Sequence, residues 1–214
     1  MAKSILDQLA SSLGHRDEKP NIDLAVKIAK SGNREQVNEL LSALSSKKGD
    51  VRHDAIKVLY EIGERKPGMI SGHVKEFLQA LKHKDNRMKW SAMTALSSIS
   101  KAEPQLLVPY LVDIVNAMDE GSVITRDHGI YILSNLATIK KLHKDCMELL
   151  LEQIEKAPVN QVPMYAEKTA EVISPPYVKR FLGVLAKRSD VLEIPSKANR
   201  IEKLIRQFKP SLNG

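Results

Sequence analysis

Apolar residues between Asp50 and Gly63 fall three and four apart: Val51, Ala55, Leu59 and Ile62 share one face of a 3.6-residue helix. The pattern returns 37 residues on at Met88–Ile99, 37 further at Thr125–Leu136, 37 further at Val162–Ile173, and after another 32 at Ile194–Ile205. One column stays small in every copy: Ala55, Ala92, Gly129, Ala166 and Ala198. A small residue there lets a neighbouring helix approach closely. The next columns are Leu59, Leu96, Leu133, Ala170 and Glu202, then Ile62, Ile99, Leu136, Ile173 and Ile205. Glu202 breaks its column, as expected of a terminal copy that packs on one side only.

A second stripe precedes each copy: Val37, Leu40, Leu41, Leu44; Val74, Phe77, Leu78, Leu81; Leu111, Ile114, Val115, Met118; Met147, Leu150, Leu151, Ile154; and Val178, Phe181, Leu182, Leu185. Each unit therefore reads as a helix A, a short turn and a helix B. One such pair cannot bury both of its faces, whereas a stack of pairs can.

The pattern divides residues 1–214 into an N-terminal capping pair, 1–33, and repeats at about 34–67, 68–103, 104–141, 142–175 and 176–209. In the cap, Leu6, Leu9, Ala10 and Leu13 repeat the A stripe, and Asn21 is placed to N-cap a short second helix. Asp50 is expected to cap the B helix of the first repeat, and Asn160 or Gln161 that of the fourth, with Pro163 in its first turn. The tail from Pro210 to Gly214 is expected to fray.

The run Asp-Val-Arg-x-x-Ala-x-x-x-Leu-x-x-Ile, Asp50 to Ile62, resembles the second-helix signature of HEAT repeats. The resemblance covers about residues 34 to 208 and implies an all-α fold, a right-handed α–α superhelix of HEAT or armadillo type, with about five helix pairs plus the N-terminal cap. A 37-residue period is short for that family, so tight turns or short A helices are implied. The resemblance also implies a polar ladder between units from the arginine column. Here that column reads Arg52, Lys89, Arg126, Pro163 and Pro195, so its last two members cannot join one.

Composition narrows the picture. With 43% hydrophobic and 28% charged residues the chain reads as an ordinary soluble protein. The single cysteine, Cys146, cannot form an internal disulfide, and neither a signal peptide nor a membrane span is visible, so the expected location is cytoplasmic. A formal net charge of +7 favours acidic partners, whether protein or nucleic acid.

No phosphate-binding glycine loop, zinc-ligand pair or nucleophile elbow is present. His143 and Cys146 share a helix face but are too few for a structural zinc site. No catalytic residue, metal or cofactor is therefore assigned.

The resemblance places the B helices on the concave face of the stack. The partner-binding candidates there are Arg52, His53, Lys57, Tyr60, Lys89, Trp90, Arg126, Asp127, Tyr131, Lys168 and Arg200. Lys47, Lys48, Lys82, Lys84, Lys140 and Lys141 in the turns form a candidate ridge for phosphate contacts. Trp90, the single tryptophan, reads either as an anchor or stacking platform or as a plug between units with its N–H bonded to a turn.

The function expected is a non-enzymatic scaffold binding a protein or peptide on the concave face, with oligomeric state open. The alternative is a nucleic-acid-binding solenoid. Behind both stands an alkylation-repair DNA glycosylase of HEAT-like type, for which Trp90, Asp127 and Arg126 are the residues available; that family's motifs are not matched residue by residue.

Overall fold

The computed structural model describes residues 4–190 and 192–212. Among them are eleven α-helices and no strand. They are α1 Lys19–Ser31, α2 Arg34–Ala43, α3 Gly49–Arg65, α4 Val74–Leu81, α5 Asn86–Ala102, α6 Leu111–Glu120, α7 Val123–Ala137, α8 His143–Lys156, α9 Val162–Ala170, α10 Pro175–Ser189 and α11 Pro195–Phe208. No helix of the described residues is long and apolar enough to cross a membrane. The chain forms two compact units, Met1–Gly129 and Ile130–Gly214.

In the first unit α1 packs on α3 and α3 on α5, while α2 lies against α3 and α4 against α5. The columns read from the sequence point inward: Ala55, Leu59, Ile62, Ala92, Leu96 and Ile99 are all fully buried. The A helices are short. Prolines explain this for two of them, since Pro67 opens a run of 3-10 turns before α4, and Pro104–Tyr110 is a 3-10 segment containing Pro109 before α6. Proline carries no N–H for the α-helical ladder, so α4 starts at Val74 and α6 at Leu111.

The N-terminal pair departs from its expected form. Only Ile5–Gln8 is helical before α1, as a 3-10 turn, and it buries Ile5, Leu9 and Ala10 while Leu13 stays 51% exposed. The stripe fails because a 3-10 turn advances by three residues and not 3.6.

Asn21 caps nothing. α1 begins at Lys19 with proline in its first turn, which leaves Asn21 inside the helix and fully buried. Its Oδ1 accepts the Ala10 N–H at 2.9 Å, and its Nδ2 donates to Asp54 Oδ1 at 2.7 Å. Asp54 Oδ2 accepts the Ser11 N–H at 2.8 Å. One buried amide thus ties the N-terminal turn to α3. Asp50 also stands inside its helix, in the first turn of α3, where a carboxylate favours the helix dipole.

In the second unit the A helices are longer, and the proportions reverse for α8 and α9. α8 and α10 have 14 and 15 residues, and α9 only 9. α9 starts after Gln161 with Pro163 in its first turn, and ends at Ala170, before the expected Ile173. α8 packs on α9 and α10, and α11 packs on α9 and α10. The Lys209–Leu212 segment forms a 3-10 turn on α10 and α11 where fraying was expected; Asn213 and Gly214 lie outside the described residues. Glu202 is exposed and pairs with Arg206 at 2.8 Å, one turn on.

The small column has its clearest reason at Gly129. A Cβ there would meet Cγ of the fully buried Met118 at 2.2 Å, so the α6–α7 contact closes only on a hydrogen. Gly129→Val is therefore expected to destabilise the protein by about 1–3 kcal/mol through overpacking. The check is the midpoint of urea unfolding, with a wild-type midpoint showing that Met118 moves aside freely.

Candidate interaction surface

The B-helix face of the first unit is built on Lys57, which is buried in the middle of α3. Its ammonium donates to Tyr60 Oη at 2.6 Å and Glu61 Oε1 at 2.8 Å, and pairs with Glu18 Oε2 at 3.2 Å. An ammonium has three donors, so none is left for a partner. Burial pulls the Lys57 pKa down, but the Glu61 carboxylate and Tyr60 hydroxyl outweigh it and hold it above the usual lysine range.

The other Glu18 oxygen accepts from the Arg87 guanidinium at 2.5 Å, and Arg65 pairs with Glu61. Charges of alternating sign thus run Arg87, Glu18, Lys57, Glu61, Arg65 from the start of α5, past the start of α1, along α3. Burial raises the Glu61 pKa, but Lys57 and Arg65 prevail and hold the carboxyl below its ordinary value.

A second link joins α3 to the start of α5. Asp85 N-caps α5, accepting the Arg87 N–H at 2.8 Å, and its other oxygen lies 2.5 Å from His53 Nε2. Partial burial pushes the Asp85 pKa up, but the hydrogen bonds from His53 and the Arg87 backbone leave it lowered.

Next to this frame stands Trp90. Its ring centroid is 6.1 Å from that of Tyr60 with the planes tilted by 55°. Trp90 is half-buried, and its indole N–H finds no acceptor among the described residues.

The arginine column works locally. Arg52 donates to the Ser46 carbonyl at 2.6 Å and Arg126 to the Gly121 carbonyl at 3.5 Å, each closing the turn before its own helix. Within the first unit the contact from the first repeat to the second is made by His53, one residue on, through Asp85. Lys89 and Asp127 are half-buried.

In the second unit Lys168 lies 5.3 Å from the Tyr131 ring centroid and donates to Glu171 at 2.6 Å. Ser134 Oγ donates to the Lys168 carbonyl at 3.2 Å. Arg200 makes a bidentate pair with Glu167 at 2.7 and 2.6 Å, and this bonding lowers the Glu167 pKa.

Both ring nitrogens of His143 are engaged within the second unit. The His143 Nδ1 is 2.8 Å from the Ala137 carbonyl, which can only accept, so in the neutral ring Nδ1 carries the proton and Nε2, at 2.7 Å, accepts from Ser174 Oγ. Burial pushes the Cys146 thiol up to about 12.

The turn lysines are exposed. Lys47 and Lys48 lie between α2 and α3, Lys82 and Lys84 between α4 and α5, and Lys140 and Lys141 between α7 and α8 in the second unit. Lys82 and Lys84 border a groove of about 1140 Å³ in the first unit.

Glu18, Glu61, Asp85 and Arg87 complete the B-helix face and were not among the candidates. Asp85 carried a signal, an aspartate just ahead of a B helix, as an N-cap requires. Glu18 carried none, because its turn has no repeat counterpart.

Residues 28–162, well over half of the chain, match the sequence profile of the Cnd1 family, described as non-SMC mitotic condensation complex subunit 1. No curated protein matches the chain. Among solved structures it is similar to a designed armadillo repeat protein in complex with the peptide (KR)4, at 16% identity and a TM-score of 0.64 over 96% of this chain and 100% of that one. It is also similar to Kap121p bound to Pho4p, at 14% identity and a TM-score of 0.62 over 92% of this chain and 22% of that one. A third likeness is to an archaeal HEAT-like repeats protein from Thermococcus onnurineus, at 12% identity and a TM-score of 0.50 over 91% and 98%. The fold is thus an all-α solenoid of HEAT and armadillo type.

Depressed carboxyl pKa values at Glu61 and Asp85 set a pH dependence. Their stabilisation is complete above the ordinary carboxylate range and is lost as pH falls through the lowered values, so urea midpoints should drop progressively from about pH 5 downward. Glu61→Gln should start less stable at neutral pH and show a shallower acid limb. A limb as steep as that of the wild type would show that Glu61 is not linked to folding.

Proposed function

The chain belongs to the Cnd1 family, and we propose that it is a non-enzymatic scaffold holding a segment of another protein on the B-helix face of its first unit. Trp90 carries this reading. It is a half-buried indole beside Tyr60, its N–H lacks an acceptor among the described residues, and it stands on helices tied together by partly buried ion pairs. A large ring held rigidly with a free donor is the composition of an interface anchor. The family description, that of a subunit of a complex, supports a protein partner, as do the peptide and the Pho4p bound by the two solved folds.

Within this reading Tyr60 flanks the anchor, Lys89 precedes it in α5, and His53 joins α3 to the cap of the same helix. Lys57 belongs to the foundation, because its three donors are used internally. Tyr131, Lys168 and Arg200 offer a similar pairing of aromatic and cation in the second unit.

The test places a photo-crosslinking benzoylphenylalanine at position 90 and, as control, at the exposed Lys179 in α10. Irradiation in extract of the source cells is expected to give a protein adduct from position 90 alone. The adduct's partner should bind Trp90→Ala roughly 30-fold more weakly, the loss typical of an aromatic hot spot. Equal affinity for Trp90→Ala, or adducts from both positions alike, would reject the Trp90 face.

A further inference from the structure

We propose that the groove between the A–B turns of the first unit is a second docking site, taking an acidic peptide segment that carries apolar anchor side chains. Trp90 is not part of its lining. Its volume of about 1140 Å³ exceeds the roughly 300–1,000 Å³ that small ligands fill, and suits a short stretch of chain.

The floor is apolar. Leu41 and Leu44 close the A stripe of α2, and Leu106 and Tyr110 come from the 3-10 segment before α6. All four are only half-buried, whereas Val37 and Leu40 of the same stripe are buried. The repeat thus leaves incompletely covered apolar side chains in this trough, where a ligand can remove them from water.

The walls are basic. Arg52, Lys75, Lys82 and Lys84 line the groove, against one carboxylate, Glu76, which lies 3.3 Å from His73 Nδ1. Lys47 and Lys48 follow directly on the lining residues Ser45 and Ser46. Among the described residues none of Lys47, Lys48, Lys75, Lys82 and Lys84 has a carboxylate partner, in contrast to Lys57 and Lys168 on the B-helix face. The wall is also ordered: His83 Nδ1 accepts the Asp85 N–H at 3.0 Å, which pins the turn between Lys82 and Lys84.

Charge complementarity selects an anionic occupant. The floor decides between the two anionic classes. A phosphate backbone would use the lysines and leave three leucines facing water, while a peptide alternating acidic and apolar residues satisfies both surfaces.

The probe is a fluorescein-labelled peptide, Glu-Glu-Leu-Glu-Glu-Leu-Glu-Glu, read by anisotropy at roughly 50 and 200 mM salt. Its controls are the same peptide with serine for leucine and a single-stranded oligonucleotide of about 12 nucleotides. Binding is expected to fall at least about tenfold in the Lys82→Glu/Lys84→Glu variant and to the same degree with the serine peptide. Trp90→Ala should leave it unchanged. Both lysines are exposed, so the charge reversal is compatible with folding, and circular dichroism verifies it.

No binding at low salt, or binding indifferent to the charge reversal, would overturn the proposal. Equal binding of the serine peptide, or tighter binding of the oligonucleotide with the same lysine dependence, would replace it with a phosphate-tracking surface. Loss on Trp90→Ala would move the peptide to the B-helix face, ending the groove proposal while leaving the scaffold reading intact.

Discussion

α3 is buried over ten consecutive residues, Asp54 to Gly63, which takes in every side of the helix. A helix in that position cannot send its polar residues to water. Asp54, Lys57 and Glu61 must therefore find partners within the protein, since an unpaired buried charge costs several kcal/mol (about 3–5). They find them in Asn21 and the Ser11 backbone, in Tyr60 and Glu18, and in Arg65. Tyr60 and Arg65 belong to α3 itself, while the Ser11 backbone, Asn21 and Glu18 tie the helix to the N-terminal turn, to α1 and, through Arg87, to the start of α5.

α5 meets the same constraint by other means. Its buried stretch from Ser91 to Ser97 contains no charge, and hydroxyls return to the helix's own carbonyls, Thr94 to Trp90 at 2.9 Å and Ser100 to Ser97 at 2.7 Å. One inner helix is thus held by long-range ion pairs and the next by local hydroxyls. Trp90 sits where the two meet, with rigid structure on both sides, as an anchor requires.

The positive charge divides accordingly. On the B-helix faces cations are consumed, Lys57 by Glu18 and Glu61, Lys168 by Glu171 and Arg200 by Glu167. At the turns of the first unit Lys47, Lys48, Lys82 and Lys84 are exposed without a carboxylate partner among the described residues, beside the apolar floor of the groove. The B-helix face suits an aromatic-anchored contact, and the turn edge suits an acidic one.

The helices and their inward faces were legible in the sequence because they rest on local periodicity. Val74, Phe77, Leu78 and Leu81, or Ala92, Leu96 and Ile99, declare a buried stripe whatever lies opposite. The 37-residue period implied tight turns or short A helices, and the first unit has the short helices. What the sequence did not contain was which polar residues meet. Arg87 and Glu18 lie 69 residues apart, His53 and Asp85 lie 32 apart, and Asn21 and Asp54 lie 33 apart. Whether Lys57 is a free cation on a face or the buried centre of a network depends on where α1 crosses α3, and no spacing along one helix encodes that crossing. Periodicity decides which side of a helix leaves water, and only the packed neighbours decide what the polar residues on that side must bind.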